Sequence, residues 1–426
     1  MNCSARVLLG PLVFFAATVQ AAYVLPESKR VAFDGNESDA FGWSIAVDGS
    51  HAVISADGSN DQGLDSGAVY LMDTATGTLT SKLTPDDGEA GDSFGWNVGL
   101  RAATAIVGAP HDDDLGFNAG SAYLFDASTG EMLHKLTASD GQQGDLFGVN
   151  VAVDGNLALV GASNRTEQGS RAGAAYLFDV TTGLQLAKLV PDDSAENGLF
   201  GGAVALSGNR ALVGAYGDGE FSGAAYLFDT TTGAQLAKLT PNDAAANDYF
   251  GFSLAIEGDL ALIGAFGDDD NGHNSGAAYL FDALTGEQRA KLVAIDGAAG
   301  DGLGRAVALS GPMAMLGAYW DSDQGDRAGS AYVFEVASTA QVAKLVARDG
   351  QPDDFFGESV ALSGSTAIVG AWGDDTAGAT AGAVYLIDLD QVVNVPEPAT
   401  VVAVSWLSVA LVMARRGSTA RLFAKR

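Results

Sequence analysis

Two hydrophobic patterns alternate along this chain. One is a continuous apolar run of five residues, such as ALVGA ending at Ala215 or AAYLF ending at Phe228; the other is an alternating segment such as QLAKL from Gln185. Runs of this length, bounded by Gly, Asp and Thr, predict strands rather than helices. A continuous run predicts a strand covered on both faces, and a TTG sequence before the QLAKL segment predicts the turn that leads into it.

The pattern repeats as a unit. Phe-Gly pairs stand at Phe41-Gly42, Phe94-Gly95, Phe147-Gly148, Phe200-Gly201, Phe250-Gly251 and Phe356-Gly357, with Leu303-Gly304 filling the remaining slot; every step is 53 residues except one of 50. Gly-Ala follows at Gly108, Gly161, Gly214, Gly264, Gly317 and Gly370, with SADG from Ser55 in the first unit. A G[AS][AV]Y[LV][FMI][DE] segment then begins at Gly67, Gly120, Gly173, Gly223, Gly276, Gly329 and Gly382. Between second and third markers lie 12 residues in six units and 9 in the fourth, so the deletion between Gly214 and Gly223 marks a loop. Each unit predicts four strands: after Phe-Gly, up to Gly-Ala, at AAYLFD and at QLAKL.

Sheets covered on both faces can stack as a solenoid or close as a propeller. The seventh unit lacks its fourth strand after Asp388, while Lys29-Arg30-Val31 stands at the same offset from Phe41 as Lys82-Leu83 from Phe94. The segment from about Val24 to Phe33 is therefore expected to complete the last sheet. The predicted fold is all-β, a seven-bladed β-propeller of four-stranded antiparallel blades closed by the amino-terminal strand.

Charge and composition narrow the function. A net charge of −31 makes nucleic acid an implausible partner. Arg6, the apolar Val7 to Ala17 and the small residues around Ala21 read as a secretory signal over residues 1–22. The only cysteine, Cys3, lies within it, so no disulfide or Cys-ligated metal is expected in the body.

The three markers together resemble the FG-GAP repeats of integrin α-subunit heads and of bacterial surface proteins. The resemblance covers about residues 24–390 and implies a propeller used for adhesion or ligand display, often with calcium in DxDxDG-type loops between first and second strands. This chain departs there: AVDGSHAV, AVDGNLAL and ALSGNRAL are too short to supply five or more oxygen ligands, so the family's calcium site is carried over to no residue.

Acidic residues concentrate elsewhere. Asp34, Asp87, Asp140, Asp193, Asp243, Asp296 and Asp349 lie seven residues before the Phe-Gly slots, and Asp39, Asp92, Asp145, Asp248, Asp301 and Asp354 lie two before, with Gly198 the exception. With the acids after Gly-Ala they should give one face of the disc a strongly acidic character. Turn geometry and solubility explain such residues, and divalent cation binding is the alternative. The best candidates for calcium are Asp321, Asp323 and Asp326 in DSDQGD and Asp57, Asp61 and Asp65 in DGSNDQGLD. A lysine recurs on the outermost strand at Lys29, Lys82, Lys135, Lys188, Lys238, Lys291 and Lys344, for edge protection or as a basic rim. Tyr216, Phe266, Tyr319, Trp320 and Trp372 follow Gly-Ala, either packing between blades or forming a platform for sugar rings.

Beyond residue 390 the chain carries a linker with Pro396-Glu397-Pro398 (391–398), then an apolar segment and basic end (399–426). This resembles a PEP-CTERM sorting signal, which implies transient membrane insertion, recognition by an exosortase-type enzyme and release to the cell surface or matrix. The histidines form no metal-binding spacing, and no nucleophile elbow, phosphate loop or dinucleotide fingerprint occurs. The near-uniform repeats favour a non-enzymatic binding protein, with exopolysaccharide or another surface protein as partner. A secreted enzyme with its site in the propeller channel and a structural spacer are the alternatives.

Overall fold

The computed structural model describes residues 23–24 and 28–393. The leader-like segment 1–22, Pro396-Glu397-Pro398 and the apolar tail lie outside the described residues. One compact unit runs to Leu389 and a second begins at Asp390, of which only the end of a short helix, Leu389–Val393, is described. No helix among the described residues is long and apolar enough to cross a membrane.

The first unit is a seven-bladed β-propeller. In the first blade the strands Ile45–Asp48, His51–Ala56, Ala68–Asp73 and Thr78–Leu83 run antiparallel in sequence order from the centre outwards. The register pairs Ile45 with Ile54 and Val69 with Leu83, so the start of the first strand, the end of the second, the start of the third and the end of the fourth share one edge of the disc. The loops before Phe-Gly and after Gly-Ala therefore emerge on one face, as the sequence predicts.

The continuous apolar runs are explained by what flanks them. Ile106 and Leu124 of the second blade pack with Phe147, Val160 and Tyr176 of the third, so each sheet is buried by a neighbour on both sides. The Phe-Gly rings are interior: Phe41, Phe94, Phe147, Phe200, Phe250 and Phe356, with Leu303, are at most 1% exposed. Phe94 meets Tyr123 and Phe125 edge-on at 5.5 and 5.8 Å. The glycine of Gly-Ala lets the blades approach this closely, since a Cβ at Gly108 would lie 1.9 Å from the carbonyl oxygen of Gly148 in the next blade.

Closure follows the expected complementarity, with a shorter strand. Lys29 and Arg30 pair antiparallel with Tyr385 and Val384 and give the seventh blade its outer strand. Val24 takes no part in that blade: Tyr23–Val24 pairs in parallel with Leu345 and Val346 and adds a fifth strand to the sixth blade. Other contacts reinforce the joint between last and first blades. Phe41 bridges Gly382, Ser359 Oγ donates to the Gly42 carbonyl at 2.6 Å, and the Gly49 N–H donates to Ser363 Oγ at 3.0 Å. The deletion in the fourth unit falls where Asp218–Phe221 makes a tight turn in a shortened loop, with positive φ at Gly219, Glu220 and Phe221.

Candidate functional site

The loop face carries the chemistry, and most of its carboxylates are engaged from within. The aspartates two residues before Phe-Gly are buried, and each accepts a backbone N–H from its own loop, as Asp92 does from Glu89 at 2.7 Å and Asp301 from Ala298 at 2.7 Å. Burial pushes Asp92, Asp301 and Asp354 up to about 6. These residues hold turns, which removes six carboxylates from the expected acidic surface.

The aspartates seven residues before Phe-Gly meet the recurrent lysines. Lys291 Nζ lies 2.9 Å from Asp243, 2.7 Å from Asp268 and 2.6 Å from Asp270, and sits 5.2 Å from the centroid of the Tyr279 ring. The hydroxyl of Tyr279 donates to Asp268 at 2.8 Å. Burial alone would lower the Lys291 ammonium, but the hydrogen bonds to Asp268 and Asp270 outweigh it and the net shift is upward. Burial alone would raise the Asp243 carboxyl, and the Lys291 hydrogen bond and charge hold it below the usual range. The same lysine-over-tyrosine contact recurs in all seven blades, at 5.1 to 5.7 Å. The lysines are therefore neither bare edge guards nor a basic rim. Each is an internal counterion that joins an outer strand to two loops.

Among the described residues one group of three acids brings its ligand atoms within 4.8 Å of one another, namely Asp243, Asp268 and Asp270, and Lys291 stands in its midst. Neither sequence candidate trio gathers in this way. Asp321 and Asp323 close on Lys344 Nζ at 2.8 and 2.6 Å, while Asp326 is exposed and offers its backbone carbonyl to the N–H of Asp353. Asp61 pairs with Lys82, Asp65 is held in a turn by Asn60, and Asp57 is pushed up to about 7 by burial.

At the centre, a cavity of about 370 Å³ opens where the first strands converge, lined from all seven blades. The residue after each Phe-Gly is Trp43, Trp96, Val149, Gly202, Phe252, Arg305 or Glu358. The repeats, close to uniform elsewhere, diverge most here. Ser44, Asn97 and Asn150 spend their polar atoms on the next blade, accepting from the N–H of Val98, Val151 and Val204. Arg305 pairs with Glu358 at 2.7 Å and lies over the rings of Phe252 and Tyr319 at 4.3 and 5.3 Å. Burial raises the Glu358 carboxyl despite that arginine. Tyr216 bends in over Gly202, where a Cβ would lie 2.5 Å from its Cε1.

The aromatics after Gly-Ala join this mouth. Trp43 meets Trp96 at 5.5 Å and Trp372 at 5.7 Å, Trp372 stacks on Phe355 at 4.8 Å, and Tyr319 contacts Trp320 at 4.5 Å. Tyr216 contacts Phe252 at 5.1 Å, and Phe252 contacts Phe266 at 4.8 Å. All of these rings are partly exposed. Two donors at this face, Arg305 Nε and Trp372 Nε1, are buried without a hydrogen-bond partner.

A family model described as FG-GAP repeat matches residues 26–72, 78–125, 132–178, 184–228, 234–281, 287–334 and 339–387. The chain belongs to the FG-GAP repeat family. No curated protein matches it. In this FG-GAP propeller the turns between first and second strands are short links in a blade-to-blade clasp: Asp48 and Asp154 accept from the N–H of Ala102 and Gly208, both at 2.6 Å. Their carboxylates are already committed there. The lysine clusters were visible in the sequence as recurrent Asp, Tyr and Lys 36 and 12 residues apart, as in Asp87, Tyr123 and Lys135. The channel residues were visible only as the place where the FG-GAP units stop agreeing.

Proposed function

We propose that this protein is an exported cell-surface or extracellular-matrix binding protein, whose FG-GAP propeller displays or holds a ligand on its loop face. The observation that carries this reading is the open channel mouth, where partly exposed aromatic rings and an Arg305–Glu358 pair converge from different blades. Concave sites with apolar walls and few polar groups are the usual form of a small-ligand site. The reading takes binding rather than catalysis as the role, because hydrolysis of a glycosidic bond calls for two carboxyl groups across the substrate. Glu358 is the one carboxylate among the residues that line the cavity. Export rests on the leader-like segment, and sorting by an exosortase-type enzyme on Pro396-Glu397-Pro398 with its apolar and basic tail.

Immunodetection on intact source cells, in the medium and in the matrix tests the location, and deletion of residues 396–398 tests the sorting. The expected result is surface or matrix signal that shifts to the membrane fraction in the deletion. Signal confined to the cell interior would overturn the proposal.

A further inference from the structure

Aromatic rings that pack only between blades need no cavity in front of them and no charged pair at its edge. Here both are present. We infer that the channel mouth binds a neutral pyranose, as the end or a branch of a saccharide chain; the inference rests on the extracellular binding role proposed above and names its ligand class.

The fit is chemical at three points. A pyranose has a face of C–H groups, which packs on the electron-rich face of an aromatic ring, and Trp43, Trp96 and Tyr216 offer such rings in the lining. Its hydroxyls both donate and accept, which matches Glu358 as acceptor and the partly exposed Arg305 guanidinium as donor. The volume of about 370 Å³ is in the range of small-ligand sites and suits about one or two sugar rings.

The pair also sets the charge of the ligand. Arg305 is already neutralised by Glu358 at 2.7 Å, so an acidic sugar would have to displace a carboxylate that the arginine holds. The chain's net charge of −31 opposes the approach of a polyanion as well. A neutral sugar meets neither cost. The mouth is asymmetric: the third blade presents Val149 where others present rings or charges, and Gly202 of the fourth lies under the Tyr216 ring.

All four tryptophans among the described residues, Trp43, Trp96, Trp320 and Trp372, belong to this face, so intrinsic fluorescence of the full chain reports on it directly. The probes are methyl glycosides of glucose, galactose, mannose and N-acetylglucosamine, dextran as a neutral polymer, and glucuronate and galacturonate as charged counterparts. A saturable change with at least one neutral probe is expected, stronger than with either uronate. Glu358→Gln, which keeps the side-chain shape, should weaken it about tenfold, the loss of one charge-assisted hydrogen bond.

A second measurement needs no variant: hydroxyl-radical footprinting should show Trp43 and Trp96 protected by the neutral probe. No saturable response to any neutral probe, preference for a uronate, or binding without protection of these two residues would each overturn the inference. If the protein binds its cell surface or matrix and Glu358→Gln binds it equally well, the cavity is not the site although the binding role stands. If the protein is found only inside cells, the broader reading fails first.

Discussion

Replacing Lys344 with methionine tests whether the lysines are structural counterions. Its side chain is 5% exposed, with Nζ 2.9 Å from Asp296, 2.8 Å from Asp321 and 2.6 Å from Asp323, beside the Tyr332 ring. Methionine keeps the apolar stem and removes the charge. Of the three partners, Asp296 and Asp323 are 41% and 63% exposed and can rehydrate, whereas Asp321 is 3% exposed and cannot. One stranded buried charge costs about 3 kcal/mol, the lower end for breaking a buried pair, and the lost ammonium–ring contact adds about 0.5–1 kcal/mol. The expected loss in chemical denaturation is therefore about 3–4 kcal/mol. Lys238→Met is the internal control, since Lys238 is 32% exposed and its partners Asp193 and Asp218 are 50% and 18% exposed. It should cost about 1 kcal/mol or less. Adding Asp321→Asn to Lys344→Met should recover a large part of the loss. Equal effects at the two lysines, or no recovery, would refute the argument from burial.

Calcium added to the unmodified protein should raise the melting temperature no more than sodium at matched ionic strength, whereas in Lys291→Ala the three carboxylates of Asp243, Asp268 and Asp270 should show saturable calcium stabilisation. Phe147→Ala removes a ring that is 1% exposed and should cost about 3–5 kcal/mol by denaturant titration; a stable variant would contradict its place in the core. Deleting residues 22–35 removes Lys29–Arg30 from the seventh blade and should lower the melting temperature of the whole ring, which calorimetry would read. Melting should be highest between about pH 4 and 6. Asp92, Asp301 and Asp354, raised to about 6, bind protons more tightly folded than unfolded, so stability grows as pH falls from above 6 towards 4. Asp34 is held low by hydrogen bonds from Tyr70 and Lys82, and Asp87 and Asp243 by their lysines, so their contribution is lost as pH falls below about 4. Asp92→Asn should flatten the rise, and a melting temperature that only declines from pH 7.5 to 5 would count against it.

The fold was legible because blade packing imposes the same demand seven times: apolar runs for sheets covered on both faces, and glycine where Gly108 faces Gly148. The joint was legible too, since Lys29 occupies the offset of Lys82. Its length was not, because nothing in the pattern separates Tyr23–Val24, which joins the sixth blade, from Lys29–Arg30. Acid clusters misled for a physical reason. Asp321 and Asp323 share a loop, as ligands of a cation would, but the cation is Lys344, 21 residues or more away in sequence. The channel mouth escaped notice because its residues are single positions in separate repeats, and only ring closure brings Trp43 near Trp372.

The last blade also fixes where a pull on the chain is felt. Its third strand, Ala383–Asp388, starts at the loop edge beside Phe41 and ends at the opposite edge, where the Leu389 N–H donates to the carbonyl of Ser365 in the turn between Val360–Ser363 and Thr366–Ala371. Ser28, preceding the closing strand, accepts from the N–H of Leu386 near that same edge. The chain thus leaves the last blade at its underside, whereas Tyr23–Val24 lies against Leu345 and Val346 at the loop edge of the sixth. A pull on Asp388 along its strand would slide Ala383–Asp388 past its two neighbours, and the outer one, Lys29–Arg30, holds it through two paired residues alone.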